Sequence, residues 1–342
     1  MPTTLQRLAM AAIGVVAGLA VPAFGADMPE LKLALADGTI NPTPGSFLQL
    51  AQILGFFDKH GVKVDIVELN GTPQAVAALN SGAVDLADIS LDSAIRLRAD
   101  NGVNVRGVIG SGIGSPFLVA AKDEIKTPQD LAGKAYAIAN RGSLDQTTTQ
   151  GWLTSIGMAP DAPSWVPIGP PATRVQALAA GRVDATTVSF GTYLAVEGTP
   201  GLHVLATPEE FGKGGPEVSK FVSALDTTVA AKHDAIQHFV DALIDTARTL
   251  SANPDQWVTA MAAARDDLAK PRLEATAKFY QRYWCVNGCM NQDMVAKAVA
   301  YVYATPDFKD VKKLGAADLV DPSFVAKAIA TAGPATGSVD TP

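Results

Sequence analysis

The sequence predicts an α/β protein built as two similar lobes. Three observations carry that prediction. First, one stretch occurs twice, 99 residues apart: Val76, Leu79, Gly82, Val84, Asp85 and Ser90 return as Val175, Leu178, Gly181, Val183, Asp184 and Ser189. Each copy reads as an apolar helix, a helix-stopping glycine, a turn, a short apolar run and a serine, which is half of an α/β unit. Second, polar strand–loop–helix junctions recur on both sides of the duplication. Third, the chain changes character after Thr228, where long amphipathic helices take over. The Gly-x-Val-Asp step alone is a common helix-to-strand turn; its return at a matched place is what points to two lobes. A serine just beyond a strand's carboxyl end sits where open α/β sheets bind ligands.

Residues 1–26 read as a secretory signal peptide. Arg7 is followed by an apolar run, Leu8 to Val21, and Ala23-Phe24-Gly25 resembles a cleavage site, with Ala26 as an alternative last residue. The run is short for a membrane span. About 315 residues remain, enough for two lobes with their own cores. The formal net charge is −7 and basic residues are scattered, so no tract neutralises phosphates and no nucleic-acid partner is expected. The expected organisation is a leader over 1–26, a first-lobe segment over 29–118, a second lobe over 119–213, a return to the first lobe with C-terminal helices over 214–331, and a flexible Gly/Pro/Ser/Thr-rich tail over 332–342.

Leu31 to Ala36 predicts the first strand, followed by a polar loop with Thr39 and Asn41. A helix over Phe47 to Phe57 ends at His60-Gly61, and Val62 to Leu69 alternates as the second strand. Asn70-Gly71-Thr72-Pro73 follows, with Thr72 as N-cap and Pro73 at the first helical position. The free N–H groups there make either a plain cap or a seat for an anion. After Ser90 a helix runs from Asp92 to Ala99, then a strand from Val103 to Ile109. Gly110 to Ser115 is glycine-rich without dinucleotide or P-loop spacing, and predicts a flexible or closely packed crossover with Ser111 or Ser115 facing a ligand.

Phe117 to Ala121 leads into the second lobe. Thr127-Pro128 caps a short helix, Ala135 to Ala139 is a strand, and Asn140-Arg141-Gly142-Ser143 caps a helix reaching Ile156. Trp165 and Val166 fit the next strand, Pro170-Pro171 starts the second repeated helix, and Ser189, Phe190 and Tyr193 close that unit. Leu202 to Ala206 is a short strand, Pro208 to Glu217 a loop, and Phe221 to Leu225 a return strand. Helices follow over His233 to Leu250, Pro254 to Asp267, Pro271 to Tyr283, Val295 to Tyr303 and Pro322 to Ala330. The hinges are expected near Ser115–Val119 and Phe221–Leu225.

Catalytic signatures are missing. There is no HExxH or GxSxG, and the four histidines lack metal-ligand spacing, so no metal, no cofactor and no catalytic residue is expected. Asp85 and Asp184 read as turn formers. Cys285 and Cys289 flank Asn287-Gly288, a turn that allows a local disulfide in an oxidising compartment; two buried thiols are the alternative.

Several of these stretches resemble a known family. Gly55-Phe56-Phe57-Asp58-Lys59-His60-Gly61, then Asn70-Gly71-Thr72, then Ala78-Leu79 with Gly82, Val84 and Asp85 look like the periplasmic substrate-binding proteins of ABC importers. The subgroup is the nitrate/sulfonate/taurine-binding one, also called NMT1/THI5-like. Ile125 to Lys134 and Ala177 to Ala185 are similar to its second-lobe motifs. The resemblance covers roughly residues 30–250. It implies a two-lobe type II periplasmic-binding-protein fold, a periplasmic location, a small-molecule solute held between the lobes, and a permease and ATPase as separate chains. A monomer is expected. Carried over by position, the contacts would come from Thr39, Asn41, Gly71, Thr72, Ser90, Ser115, Arg141, Gly142, Ser143, Ser189, Phe190 and Tyr193, with Pro170 and Leu91 beside them. The cysteine-rich stretch and active-site histidine of the superfamily's pyrimidine-synthesising enzymes have no counterpart here.

Neutral donors with Arg141 as the one cation suit a small organic anion, a sulfonate or an aromatic or aliphatic carboxylate. Alternatively Arg141 faces solvent and pairs with Asp145, and a heterocycle uses Asp145 or Asp92. An enzyme acting on a small heterocycle and a periplasmic sensor partner are the competing functions.

Overall fold

The two copies of the repeated stretch adopt one shape at one spacing in the computed structural model. It describes residues 28–340 apart from 37, 38, 70, 115, 116, 214 and 216. The leader expected over 1–26 lies outside the described residues. The first lobe opens with β1 (Glu30–Leu35), α1 (Phe47–Ile53), α2 (Phe56–Lys59), β2 (Lys63–Glu68), α3 (Thr72–Asn80), β3 (Leu86–Ser90), α4 (Leu91–Ala99) and β4 (Val105–Ile113). The second lobe contains β5 (Phe117–Lys122), β6 (Ala135–Ile138), α5 (Leu144–Ser155), β7 (Ser164–Pro167), α6 (Pro171–Ala179), β8 (Ala185–Ser189), α7 (Phe190–Tyr193), β9 (Leu202–Ala206) and α8 (Pro208–Gly212). The chain then returns through β10 (Val218–Leu225) to the helices α9 (Asp226–Ala231), α10 (His233–Ala252), α11 (Pro254–Ala264), α12 (Lys270–Tyr280), α13 (Gln292–Ala304), α14 (Ala316–Leu319) and α15 (Ser323–Ala332).

Each lobe is a five-stranded sheet, ordered β2-β1-β3-β10-β4 in the first and β7-β6-β8-β5-β9 in the second. In both, three strands are parallel and the fourth runs against them: β10 against β3, β5 against β8. The repeated strands β3 and β8 are buried along their whole length, as strands covered on both faces must be. The first-lobe core extends into the C-terminal helices, where Phe57 of α2 stacks on Phe239 of α10 at 5.5 Å. The second sheet carries a separate cluster on each face.

Asp85 and Asp184 have matching structural work. Asp85 accepts the Lys32 amide of β1 at 2.8 Å and pairs with Lys232 at 2.8 Å. Asp184 accepts the Ala135 amide of β6 at 3.0 Å and pairs with Lys122 at 2.9 Å. Burial pulls the Asp184 pKa up, but Lys122 and the amide outweigh it and hold the carboxyl below its ordinary value. Its stabilisation is therefore present above the unfolded carboxylate pKa and fades as pH falls through the lower folded one. Asp184→Asn should cost about 1–2 kcal/mol at neutral pH. Urea titrations of both proteins should converge at a pH below both pKa values; a constant gap would contradict this account.

Several expectations are corrected. The predicted helix over Phe47–Phe57 is two helices, because Gly55 takes a left-handed φ of 75° between them. Thr72 is the first helical residue rather than the cap; Gly71, at φ 117°, occupies the cap position. The glycine-rich stretch is closely packed rather than flexible, and Gly110–Ile113 are strand instead of crossover. β4 runs through Gly110–Ile113 because glycine lets the disulfide loop lie flat on it: a Cβ at Gly110 would come within 2.5 Å of the Cys289 Cβ. The crossings between lobes therefore fall between β4 and β5 and between α8 and β10, and Val119 and Phe221–Leu225 sit inside strands. The loop over Pro208–Glu217 includes α8, started by a Thr207–Glu210 capping box. The tail is docked as far as Asp340. Its carboxylate accepts the amides of Asn287 (2.6 Å) and Cys289 (3.1 Å), and Ser338 donates to the Trp284 carbonyl at 2.6 Å. Composition marks such a tail as solvent-loving, but these few bonds anchor it. Cys285 and Cys289 form a disulfide, with sulfurs 2.05 Å apart.

Candidate functional site: a cleft between the lobes

The carboxyl ends of β1, β3, β6, β7 and β8 face one another across a cleft that is lined by both lobes and opens to solvent. The first-lobe wall holds Asn41, Thr43 to Ser46, Gly71, Thr72, Asp88, Ser111 to Gly114, Ser219 and Lys220. The second-lobe wall holds Asn140, Ser143 to Asp145, Gly169 to Pro171, Arg174 and Ser189. Three helices of nine or more residues, α3, α5 and α6, begin at this cleft. Their first amides and positive dipole ends favour anionic or oxygen-rich groups.

The first cleft loop is fixed from behind by the C-terminal helices. Trp257 of α11 donates its indole N–H to Ser46 Oγ at 2.9 Å, and Arg265 donates to the Ile40 carbonyl at 2.8 Å. Leu35, Leu48, Ile113, Phe117 and Pro170 supply apolar surface.

Each lobe contributes one acid and one base to the cleft. In the first lobe, Asp88 on β3 accepts from Ser111 and pairs with Lys220 of β10 at 2.5 Å. In the second, Asp145 accepts the Ala139 amide at 2.9 Å and the Ser143 hydroxyl at 2.7 Å. Arg174 lies 3.8 Å from Asp145 and is 2% exposed. It donates to the carbonyls of Gly169 (2.7 Å) and Thr187 (3.1 Å) and to Thr186 Oγ1 (3.3 Å). Those three bonds leave two of the five guanidinium N–H groups outside them.

Among the residues expected from sequence, Asn41, Gly71, Thr72, Ser143 and Ser189 line the cleft, as does Ser111. Ser115 lies outside the described residues. The others are placed elsewhere. Thr39 is exposed. Ser90 is fully buried, its hydroxyl 3.0 Å from Ser93 Oγ. Arg141 and Gly142 are exposed, because the turn closed by the Ser143 amide on the Asn140 carbonyl (3.2 Å) throws them outward; the Gly142 amide donates to Gln146 at 2.7 Å. Phe190 stacks on Phe279, and Tyr193 turns back into the core with Val175 and Val188. Asp145 pairs with Arg174 rather than Arg141. Asp92 is buried outside this cleft, where burial raises its pKa against the lowering effect of the Ser90 hydroxyl.

Arg174, Lys220 and Asp88 were missed as cleft residues. For Arg174 the repeat held the signal. Its counterpart 99 positions earlier is Ala75, which is fully buried, so an arginine at that place needs buried partners.

The lobes are pressed together beyond the cleft. Gly191 of α7 packs on Pro42, where a Cβ would lie 2.3 Å from the carbonyl oxygen, and Gly151 of α5 packs under the Tyr301 hydroxyl. Tyr301 donates to the Thr148 carbonyl at 3.4 Å, and burial pushes its pKa up to about 12.

The chain is similar to proteins of known kind. It is 26% identical over 234 residues to a putative binding protein of Brucella abortus (strain 2308), covering 68% of this chain and 71% of that one. It is 26% identical over 262 residues to the taurine-binding periplasmic protein of Escherichia coli (strain K12), covering 75% and 74%. A solved structure from Bordetella bronchiseptica RB50 superposes with a TM-score of 0.77 at 19% identity, over 90% of this chain and 98% of that one, and shares its two-lobe periplasmic-binding-protein fold. The profile described as NMT1/THI5 like matches residues 46–257, more than half of the sequence, and the chain belongs to that family.

Proposed function

We propose that this protein is an extracytoplasmic solute-binding receptor that delivers a small organic anion to an ABC importer whose permease and ATPase are separate chains. The observation that carries the anion is the pair of cations, Lys220 and Arg174, one from each lobe, on facing walls of a cleft where three helices begin. An anion between them gains charge-assisted hydrogen bonds from both lobes, so binding favours closure. Each cation already has a carboxylate beside it, which suits a solute of low charge with an apolar body against Phe117 and Pro170. The taurine-binding relative supports the sulfonate end of the range. The Cys285–Cys289 disulfide supports a location outside the cytoplasm.

A thermal-shift screen across sulfonates, carboxylates, inorganic anions and neutral heterocycles tests this reading. A sulfonate or carboxylate should raise the Tm of the wild type, and Lys220→Met should lose most of that shift while Arg141→Ala keeps it. Stabilisation confined to uncharged heterocycles would discard the anion.

A further inference from the structure

We propose that the solute is a monovalent aromatic acid and that Phe117 is the residue that selects its ring. This deepens the solute reading above and rests on it.

Phe117 is the one aromatic side chain among the described residues that line the cleft. It opens β5 and pairs in register with Ser189 at the end of β8, so the fold delivers its half-buried ring to the cleft wall. The ring is braced from the second-lobe core. Phe211 meets it with centroids 6.4 Å and planes 71° apart, and Phe211 in turn stacks on Trp152 at 5.7 Å. Phe211 and Trp152 are both buried. A ring held in this way loses little freedom when a flat solute covers it. Contact between two aromatic rings is also favourable beyond the apolar area it buries.

The rest of the apolar lining suits the same occupant. Pro44 from the first lobe and Pro170 and Pro171 from the second line the cleft with rigid rings. Methionine, the side chain that adapts to varied shapes, is absent from the described lining. Walls of this kind fit a rigid planar body better than a flexible chain, which must freeze its own rotors to lie against them.

The acid end has its place beside the ring. Arg174 donates to the carbonyl of Thr187, two residues before Ser189 on β8. Two strand residues span about 7 Å. An acid group at the guanidinium and a ring at Phe117 therefore belong to one small molecule. Each cleft cation already faces a carboxylate, at 2.5 Å for Lys220 and 3.8 Å for Arg174, so one added negative charge is matched better than two.

Calorimetry with matched probes tests the proposal. Benzoate and cyclohexanecarboxylate carry the same charge and similar bulk, but only benzoate is flat and aromatic. The wild type should bind benzoate about 3- to 10-fold more tightly. Benzenesulfonate against cyclohexanesulfonate repeats the comparison with the other acid group, and a preference for the ring in either pair supports the proposal. Phthalate, a dianion, should bind more weakly than benzoate; tighter binding would overturn the single charge. Phe117→Leu keeps an apolar side chain and should bring the aromatic-to-saturated ratio to about one. That ratio does not depend on how much of the variant folds. No aromatic preference in the wild type, or the same preference in Phe117→Leu, would overturn the role of Phe117. Binding of the saturated acids without the aromatic ones would overturn this inference and leave the organic-anion reading standing. Binding confined to neutral heterocycles would overturn both.

Discussion

Gly191→Ala should leave both lobes folded and cost the protein its closed form. The added methyl would lie 2.3 Å from the Pro42 carbonyl oxygen and 2.7 Å from Pro42 Cγ. Neither neighbour is the free end of a flexible side chain, so α7 and the first cleft loop must separate. The glycine φ is not in the left-handed region, so alanine adds no backbone strain, and in a helix it is the favoured residue. Stability to urea should therefore change by less than about 1 kcal/mol. Solute affinity should fall by about 10- to 100-fold, because the apparent dissociation constant rises as the closed fraction falls. Calorimetry beside a urea titration measures both. Unchanged affinity would mean that the solute binds without this contact.

Arg174→Ala should have the largest effect on stability of any cleft substitution. It leaves Asp145 buried beside an empty space, and it strips partners from the Gly169 and Thr187 carbonyls. Removing one member of a buried ion pair costs about 3–5 kcal/mol. Solute binding should be lost with it. Adding Asp145→Asn removes the stranded charge and should recover part of the stability but none of the binding. Recovery of both would show that Arg174 serves only to balance Asp145, and no recovery of stability would show that packing, not charge, sets the cost.

Fold-level features were legible where a local pattern fixes a local structure. The 99-residue duplication reappears in the helix starts Thr72 and Pro171 and the strand ends Ser90 and Ser189. Asp85 and Asp184 could be read as turn formers because a carboxylate there has one geometric task. What was not legible depends on distant partners. Gly110 reads as part of a flexible or closely packed crossover, and only the Cys289 loop laid against it decides between the two. Arg141 was conspicuous as a cation in a loop, but its turn points outward. Arg174 was hidden in an apolar helix, and only comparison with Ala75 exposes it.

The central claim is that the cleft takes an intact small anion and does nothing further to it. Native mass spectrometry of the purified chain, incubated with a pool of sulfonates and carboxylates and then denatured to release what it bound, tests this most directly. The account predicts one solute per chain, recovered with its starting mass, and no complex for a chain carrying Arg174→Ala and Asp145→Asn together. Recovery of a chemically altered compound, or equal retention by the double variant, would contradict it.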